Sequence, residues 1–209
     1  MTEEEEDQKF YANLSAEAYK RKDRKMEFQG YTHDNELSDT RHAIYYNPEK
    51  NHTILAVRGT RTDLSADSQE DLIDSDVGGI VFANLTATRR YKQAQAKLQQ
   101  AQQKYRGSKM DLTGHSLGGR ISEELSAREG GINQAHSYNP GSFASHALKD
   151  IECKYSNSTQ CRNRKNRVHR YTVEGDLLSL TSHSGKGIKQ HVHLKKKKNM
   201  DAHTIKNFL

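Results

Sequence analysis

Ser116 stands among glycines, in Thr113-Gly114-His115-Ser116-Leu117-Gly118-Gly119. A serine hydroxyl is a poor nucleophile until a base takes its proton, and glycines on either side permit a sharp, strained turn that lifts the hydroxyl clear of the backbone. The spacing Gly-x-Ser-x-Gly recurs by chance in many chains; a strand directly before it and a helix directly after it give it meaning. Here Lys109 to Thr113 reads as a short strand, and Leu117 to about Arg128 as a helix that stops at Gly130-Gly131. Such a helix also aims the positive end of its dipole at the place where charge develops on an attacked carbonyl oxygen. The chemistry this predicts is acyl transfer through a serine nucleophile.

That reaction needs a histidine to take the proton and a carboxylate to orient the histidine. In α/β-hydrolase order, Ser then Asp then His, the acid sits just past a strand that follows the nucleophile. Asp176 fits, after the β-rich run Arg167 to Val173; Asp150 and Asp201 are expected to be solvated surface charges. For the base there are five candidates: His169, His183, His191, His193 and His203. His169 lies inside the strand before the acid. His191 and His193, two apart, share one face of the run Gln190 to Leu194 and read as structural or as half of a metal site. His203, at a turn entering a last short helix, is preferred, with His183 second. The oxyanion formed during attack needs two backbone donors. One is the N–H of Leu117; the other is expected from Thr60, in Arg58-Gly59-Thr60, where a glycine lets the chain bend directly after the apolar run Ile54 to Val57.

Positioning these groups requires a sheet with flanking helices. Glu3 to about Lys22 carries Phe10, Leu14 and Ala18 near helical spacing, acid first and base last, and predicts a helix. His42 to Tyr46 and Thr53 to Val57 predict a hairpin around the turn Asn47-Pro48-Glu49-Lys50-Asn51. Tyr91, Ala94, Leu98, Ala101 and Tyr105 form one apolar stripe on a helix from Arg89 to Arg106 that Gly107 ends. Ile132 to Tyr138 reads as another strand, and the polar stretch Asn157 to Asn166 as a surface loop. Strands alternating with helices imply an α/β fold with a mostly parallel central sheet. The 209 residues suit a single domain over 1–209, with 1–40 as an N-terminal helical extension packed on it.

An apolar fraction of 33% and a mean hydropathy of -1.02 are low for a globular chain, but the apolar residues cluster in blocks sufficient for one core. With 10 Tyr and no Trp, the interior is expected to be modest. The net charge of +6 is uneven: Glu3 to Asp7 is acidic, whereas Cys161 to Arg170 and Lys195 to Lys198 are basic, which suits an anionic membrane surface or nucleic acid but is read first as a solvated basic loop, so charge alone decides nothing. The histidine pair and the lysine run lack a complete ligand set or a stacking platform, so a metal or nucleic-acid module is disfavoured and neither cofactor nor nucleic acid is expected. Cys153 and Cys161 allow one disulfide or two free thiols. The start of the sequence lacks the basic and apolar regions of a signal peptide, and no stretch has the length of a membrane span, so a soluble protein is expected.

Five motifs in order resemble the class 3 (fungal-type) lipase family: Leu55 to Thr60, Asp71-Leu72-Ile73-Asp74, Leu112 to Gly119, Tyr138-Asn139-Pro140-Gly141, and Val173 to Leu178. The similarity runs from about Ala43 to Phe208. It implies an α/β-hydrolase fold, triacylglycerol lipase or phospholipase A1-like activity, and Ser116, Asp176 and His203 as triad, with Thr60 lending an oxyanion donor. It implies a lipid ester at a membrane or micelle surface as substrate. Two departures stand out: Leu177-Leu178 replaces the family's usual Val-Pro after the acid, and the segment from acid to histidine is short. The region of the relatives' lid corresponds to Val77 to Thr88, which reads as a lid or as a buried connection. The compact form resembles intracellular, phage or viral members. A soluble short-chain esterase, or a catalytically silent binding protein on the same fold, are the alternatives.

Overall fold

The alternation of side chains in two neighbouring strands sets the layering. In His42–Asn47 and His52–Val57, residues Ile44, Leu55 and Val57 enter one core, while Ala43, Tyr45, Ile54 and Ala56 enter another on the opposite face. The computed structural model describes residues 2–20, 23–60, 85–141, 144–176, 188, 190–198 and 200–209. Among the described residues the sheet has eight strands in sequence order: β1 (Glu27–Phe28), β2 (Tyr31–His33), β3 (His42–Asn47), β4 (His52–Val57), β5 (Lys109–His115), β6 (Gln134–Tyr138), β7 (Val168–Val173) and β8 (Gln190–Leu194). β1 to β4 pair antiparallel, and β4 to β8 pair parallel. The hairpin and the parallel run follow the sequence expectation. The region before residue 40 does more than supply a helix, since β1 and β2 extend the sheet.

A right-handed crossover repeated in one direction puts each connecting helix on the same face. Helices α2 (Arg89–Lys104) and α3 (Leu117–Arg128) do lie together there, with Tyr91, Ala94, Leu98, Ile121 and Leu125 in the first core. The second face is covered by α1 (Glu3–Glu17) and by the 3-10 turn Ile205–Phe208, through Tyr11, Leu14, Ala18 and Phe208. α1 begins at a capping box: Thr2 Oγ1 accepts from Glu5 N–H, and Thr2 N–H donates to the Glu5 carboxylate. The tyrosines are largely interior. Tyr11, Tyr31, Tyr45 and Tyr138 are buried, and each hydroxyl reaches an internal partner, respectively Asp111, His52, the Lys25 carbonyl and the Gln8 carbonyl.

Two expectations need correction. Asn157 to Asn166 is not a loop: Thr159–Arg167 forms α5, capped by Ser158 and tied to α4 (Ala144–Tyr155) by a Cys153–Cys161 disulfide. Its inward face consists of Cys161 and Arg164, so no apolar stripe betrays it. Asp150 is not a surface charge: it is fully buried and pairs with Arg164 and Arg170, both also buried. Among the described residues, no helix is long and apolar enough to cross a membrane.

Candidate active site

The parallel strands finish at one edge of the sheet, and their C-terminal ends carry the predicted chemistry, as is usual at the carboxyl edge of such sheets. Thr60 follows β4, Ser116 follows β5, Asp176 follows β7, and the lysine run follows β8. At Ser116 the backbone takes φ 56° and ψ -126°, a conformation that costs a non-glycine residue about 1–3 kcal/mol and that the surroundings must enforce. Two glycines let them do so. A Cβ on Gly114 would lie 2.4 Å from the carbonyl carbon of Gly118, and one on Gly118 would lie 2.1 Å from the carbonyl oxygen of Val57. The ends of β5 and β4 and the first turn of α3 therefore pack backbone to backbone, with Ser116 raised at their junction.

His203 Nε2 lies 2.8 Å from Ser116 Oγ, and His203 Nδ1 lies 3.0 Å from each carboxylate oxygen of Asp176. In its neutral form His203 can donate from Nδ1 to Asp176 and accept a hydrogen bond from the Ser116 hydroxyl at Nε2. Asp176 is 1% exposed, so water does not compete for it. Two buried asparagines and an exposed carboxylate hold the turn that carries His203: Asn139 Nδ2 donates to the Ala202 carbonyl, Asn207 Nδ2 donates to the Asp201 and Ala202 carbonyls, and His203 N–H donates to Asp201 Oδ1. Asp201 is exposed, as expected, and here orders the turn.

The expected oxyanion donors flank the serine. Leu117 opens α3, so its N–H is among the unpaired donors of a helix start and shares the direction of the dipole. On the other side the loop Arg58-Gly59-Thr60 passes close by: a Cβ on Gly59 would come within 3.1 Å of Ser116 Cβ. Thr60 follows at once and is partly exposed.

Of the other histidines, His169 is structural: it lies within β7, and its ring stacks on that of buried His136 with centroids 4.5 Å apart. His191 and His193 lie on β8, in register with Arg170 and Thr172. His183 lies outside the described residues, as do Asp71 to Asp74, Leu177-Leu178 and most of the stretch Val77 to Thr88; from that stretch Leu85–Ala87 forms a 3-10 turn before α2. Sequence reasoning missed Tyr19 and His115. Tyr19 Oη is 2.9 Å from His115 Nδ1, and His115 Nε2 bonds the carbonyl of His203. Burial pushes the His115 imidazole down to about 3, so it is neutral at ordinary pH. The one available signal was its place inside the serine motif.

Solved structures to which the chain is similar include lipases from fungi. The chain is 15% identical to the Lip2 lipase of Yarrowia lipolytica, with a TM-score of 0.56 over 94% of this chain and 80% of that one. It is 16% identical to a mutant form of MDLA from Penicillium cyclopium (TM-score 0.58; 98% and 84% covered). It is 17% identical to the lipase of Rhizopus microsporus var. chinensis (TM-score 0.57; 97% and 77% covered). At such identities the likeness establishes the α/β-hydrolase fold. No curated protein sequence matches the chain. A family model described as a Tle-like phospholipase domain matches residues 4–207, nearly the whole sequence, and the chain belongs to that family.

Proposed function

We propose that this protein hydrolyses carboxylic ester bonds of glycerophospholipids, in a phospholipase A1-like manner, with Ser116, His203 and Asp176 as its triad. Ser116 Oγ attacks the ester carbonyl while His203 Nε2 takes its proton; the N–H groups of Leu117 and Thr60 stabilise the oxyanion. His203 returns the proton to the departing alcohol, leaving an acyl group on Ser116. Water, deprotonated by His203, then releases the fatty acid and restores the serine. The observation that carries this reading is the chain of bonds from Ser116 Oγ to His203 at 2.8 Å and from His203 to Asp176 at 3.0 Å.

An anionic lipid surface is the partner best suited to the site's edge. Lys195 to Lys198 are exposed at the same end of the sheet as Ser116. Lys197 N–H donates to Asn207 Oδ1, which couples the run to the turn that carries His203. Mass spectrometry of products from mixed phospholipid and triglyceride vesicles tests the assignment. Free fatty acid and lysophospholipid should appear with the parent and fall on the order of 10⁴-fold or more with Ser116→Ala. Cleavage of short soluble esters but of neither lipid class would reduce the reading to an esterase, and turnover undiminished in Ser116→Ala would end it.

A further inference from the structure

Tyr19 and His115 take no part in the steps above, yet they stand between the groups that do. Tyr19 lies two residues beyond the end of α1, and its N–H still bonds the Ala16 carbonyl at 3.1 Å, so the helix fixes its place. Gly59 N–H donates to Tyr19 Oη at 3.2 Å; Tyr19 Oη and His115 Nδ1 are 2.9 Å apart; His115 Nε2 meets the carbonyl oxygen of His203. One partly buried path thus joins the loop before Thr60 to the backbone of His203.

The direction of each bond is forced. The His203 carbonyl can only accept, so neutral His115 carries its proton on Nε2 and its Nδ1 accepts the Tyr19 hydroxyl proton, while Tyr19 Oη accepts from Gly59 N–H. The opposite tautomer would set a lone pair of Nε2 against the lone pairs of the His203 carbonyl. The imidazole is enclosed, and its ring lies 4.9 Å from that of His203, centroid to centroid.

We propose that Tyr19, acting through His115, is a positioning residue of the active site: it locks His115 as the Nε2–H tautomer and thereby ties the His203 peptide and the Gly59-Thr60 loop to one frame. This rests on the reading of Ser116 and His203 as nucleophile and base. The N-terminal helix is then part of the catalytic apparatus, because it carries the hydroxyl on which the tautomer depends. Catalytic groups must be held to within about 0.5 Å, and the two loops held here come from opposite ends of the chain.

Tyr19→Phe removes one oxygen and leaves the ring. On monomeric p-nitrophenyl butyrate it should lower kcat on the order of 10-fold with little change in KM, because a buried acceptor and a buried donor lose their partner and the base drifts. His115→Gln, whose amide can still donate to the His203 carbonyl, should retain more kcat than His115→Ala. Nitrogen chemical shifts of the His115 ring should report the Nε2–H tautomer in the parent and a tautomer mixture in Tyr19→Phe. A parent no faster than Ser116→Ala on this ester would sink the nucleophile reading and this one with it. An active parent whose kcat is matched by Tyr19→Phe, or whose His115 carries its proton on Nδ1, would overturn the positioning role alone.

Discussion

Glu123→Gln is the sharpest test of how this protein is held together. Behind α3, three guanidinium groups, Arg120, Arg164 and Arg170, are balanced by three carboxylates, Glu123, Glu124 and Asp150, all buried. Glu123 is the hub. Its Oε2 accepts from Arg120, Arg164 and Arg170 at 2.7, 3.1 and 2.8 Å, and its Oε1 accepts from Arg170 Nε at 2.8 Å and Ser137 Oγ at 2.6 Å. A glutamine has the same shape but must put its NH₂ at one of these oxygens. Placed at Oε1, it loses only Arg170 Nε, since the Ser137 hydroxyl can turn to accept. The cluster nevertheless goes from three charges of each sign to one uncompensated buried cation, which costs about 3–5 kcal/mol. For a chain of this size that is a fall in Tm of roughly 6–20 °C. The assay is urea unfolding followed by circular dichroism at pH 7, with an unchanged slope as the sign that the unfolded state is the same. Arg128→Ala serves as control: Arg128 also pairs with Glu124 but is 31% exposed, so its loss should cost less than about 1 kcal/mol. If Glu123→Gln costs no more than the control, the cluster is not the dry, balanced unit described here.

Gly118→Ala should abolish the raised serine, because the new methyl would meet the Val57 carbonyl at 2.1 Å and backbone cannot step aside; an activity loss on the order of 10²-fold or more in folded protein is expected, and a parent-like rate refutes it. Stability should fall as pH drops below about 6.5, since an unfolded histidine gains a proton there while buried His115 resists until about 3. His115 alone then accounts for about 2 kcal/mol lost between pH 6.5 and 5, with His136 shifted in the same direction; equal unfolding midpoints at pH 7 and 5 would contradict this. Below about pH 4 the carboxylates Glu123 and Asp150, held low by their arginine partners although burial opposes it, withdraw their share as well. Replacing Lys195, Lys196 and Lys198 with Gln should weaken binding of the Ser116→Ala protein to phosphatidylglycerol vesicles on the order of 10²-fold at low salt, at about 1 kcal/mol per lysine. Binding to phosphatidylcholine should be unaffected, and an equal effect on both lipids would remove the lysines from the docking surface.

The strand ends that carry Ser116, Asp176 and Thr60 were legible because each is marked by glycine or by a change of pattern, and those marks are local. His203 could be preferred over His183 only by its place in a last turn, since nothing local distinguishes a base. The holding roles of Tyr19, His115 and Asn139 were not legible, although His115 and Asn139 lie inside quoted motifs, because their side chains bond partners distant in sequence, and such bonds have no period. α5 was illegible for a related reason, since the buried face of that helix is a disulfide and an arginine.

The mean hydropathy of -1.02 misleads in the same way, and the reason bears on how the site is built. Hydropathy charges every Arg, Glu and Tyr against burial, whereas this interior buries them paired: six charges behind α3, joined at the surface by Arg128 and Lys149, and tyrosines whose hydroxyls find carbonyls, His52 or Asp111. A paired polar interior adds little net stability over an apolar one, but it penalises any arrangement that leaves a member unpaired. Here that penalty falls on the elements around the nucleophile. Arg120 of the charged set donates from Nε to the Gly141 carbonyl in the loop after β6, and an added Cβ on Gly141 would lie 3.8 Å from Leu117 N. The charged set thus anchors the loop beside Leu117, the proposed oxyanion donor. The polar interior and the precision of the site are therefore one structural problem, solved with side chains that a hydropathy scale scores as surface.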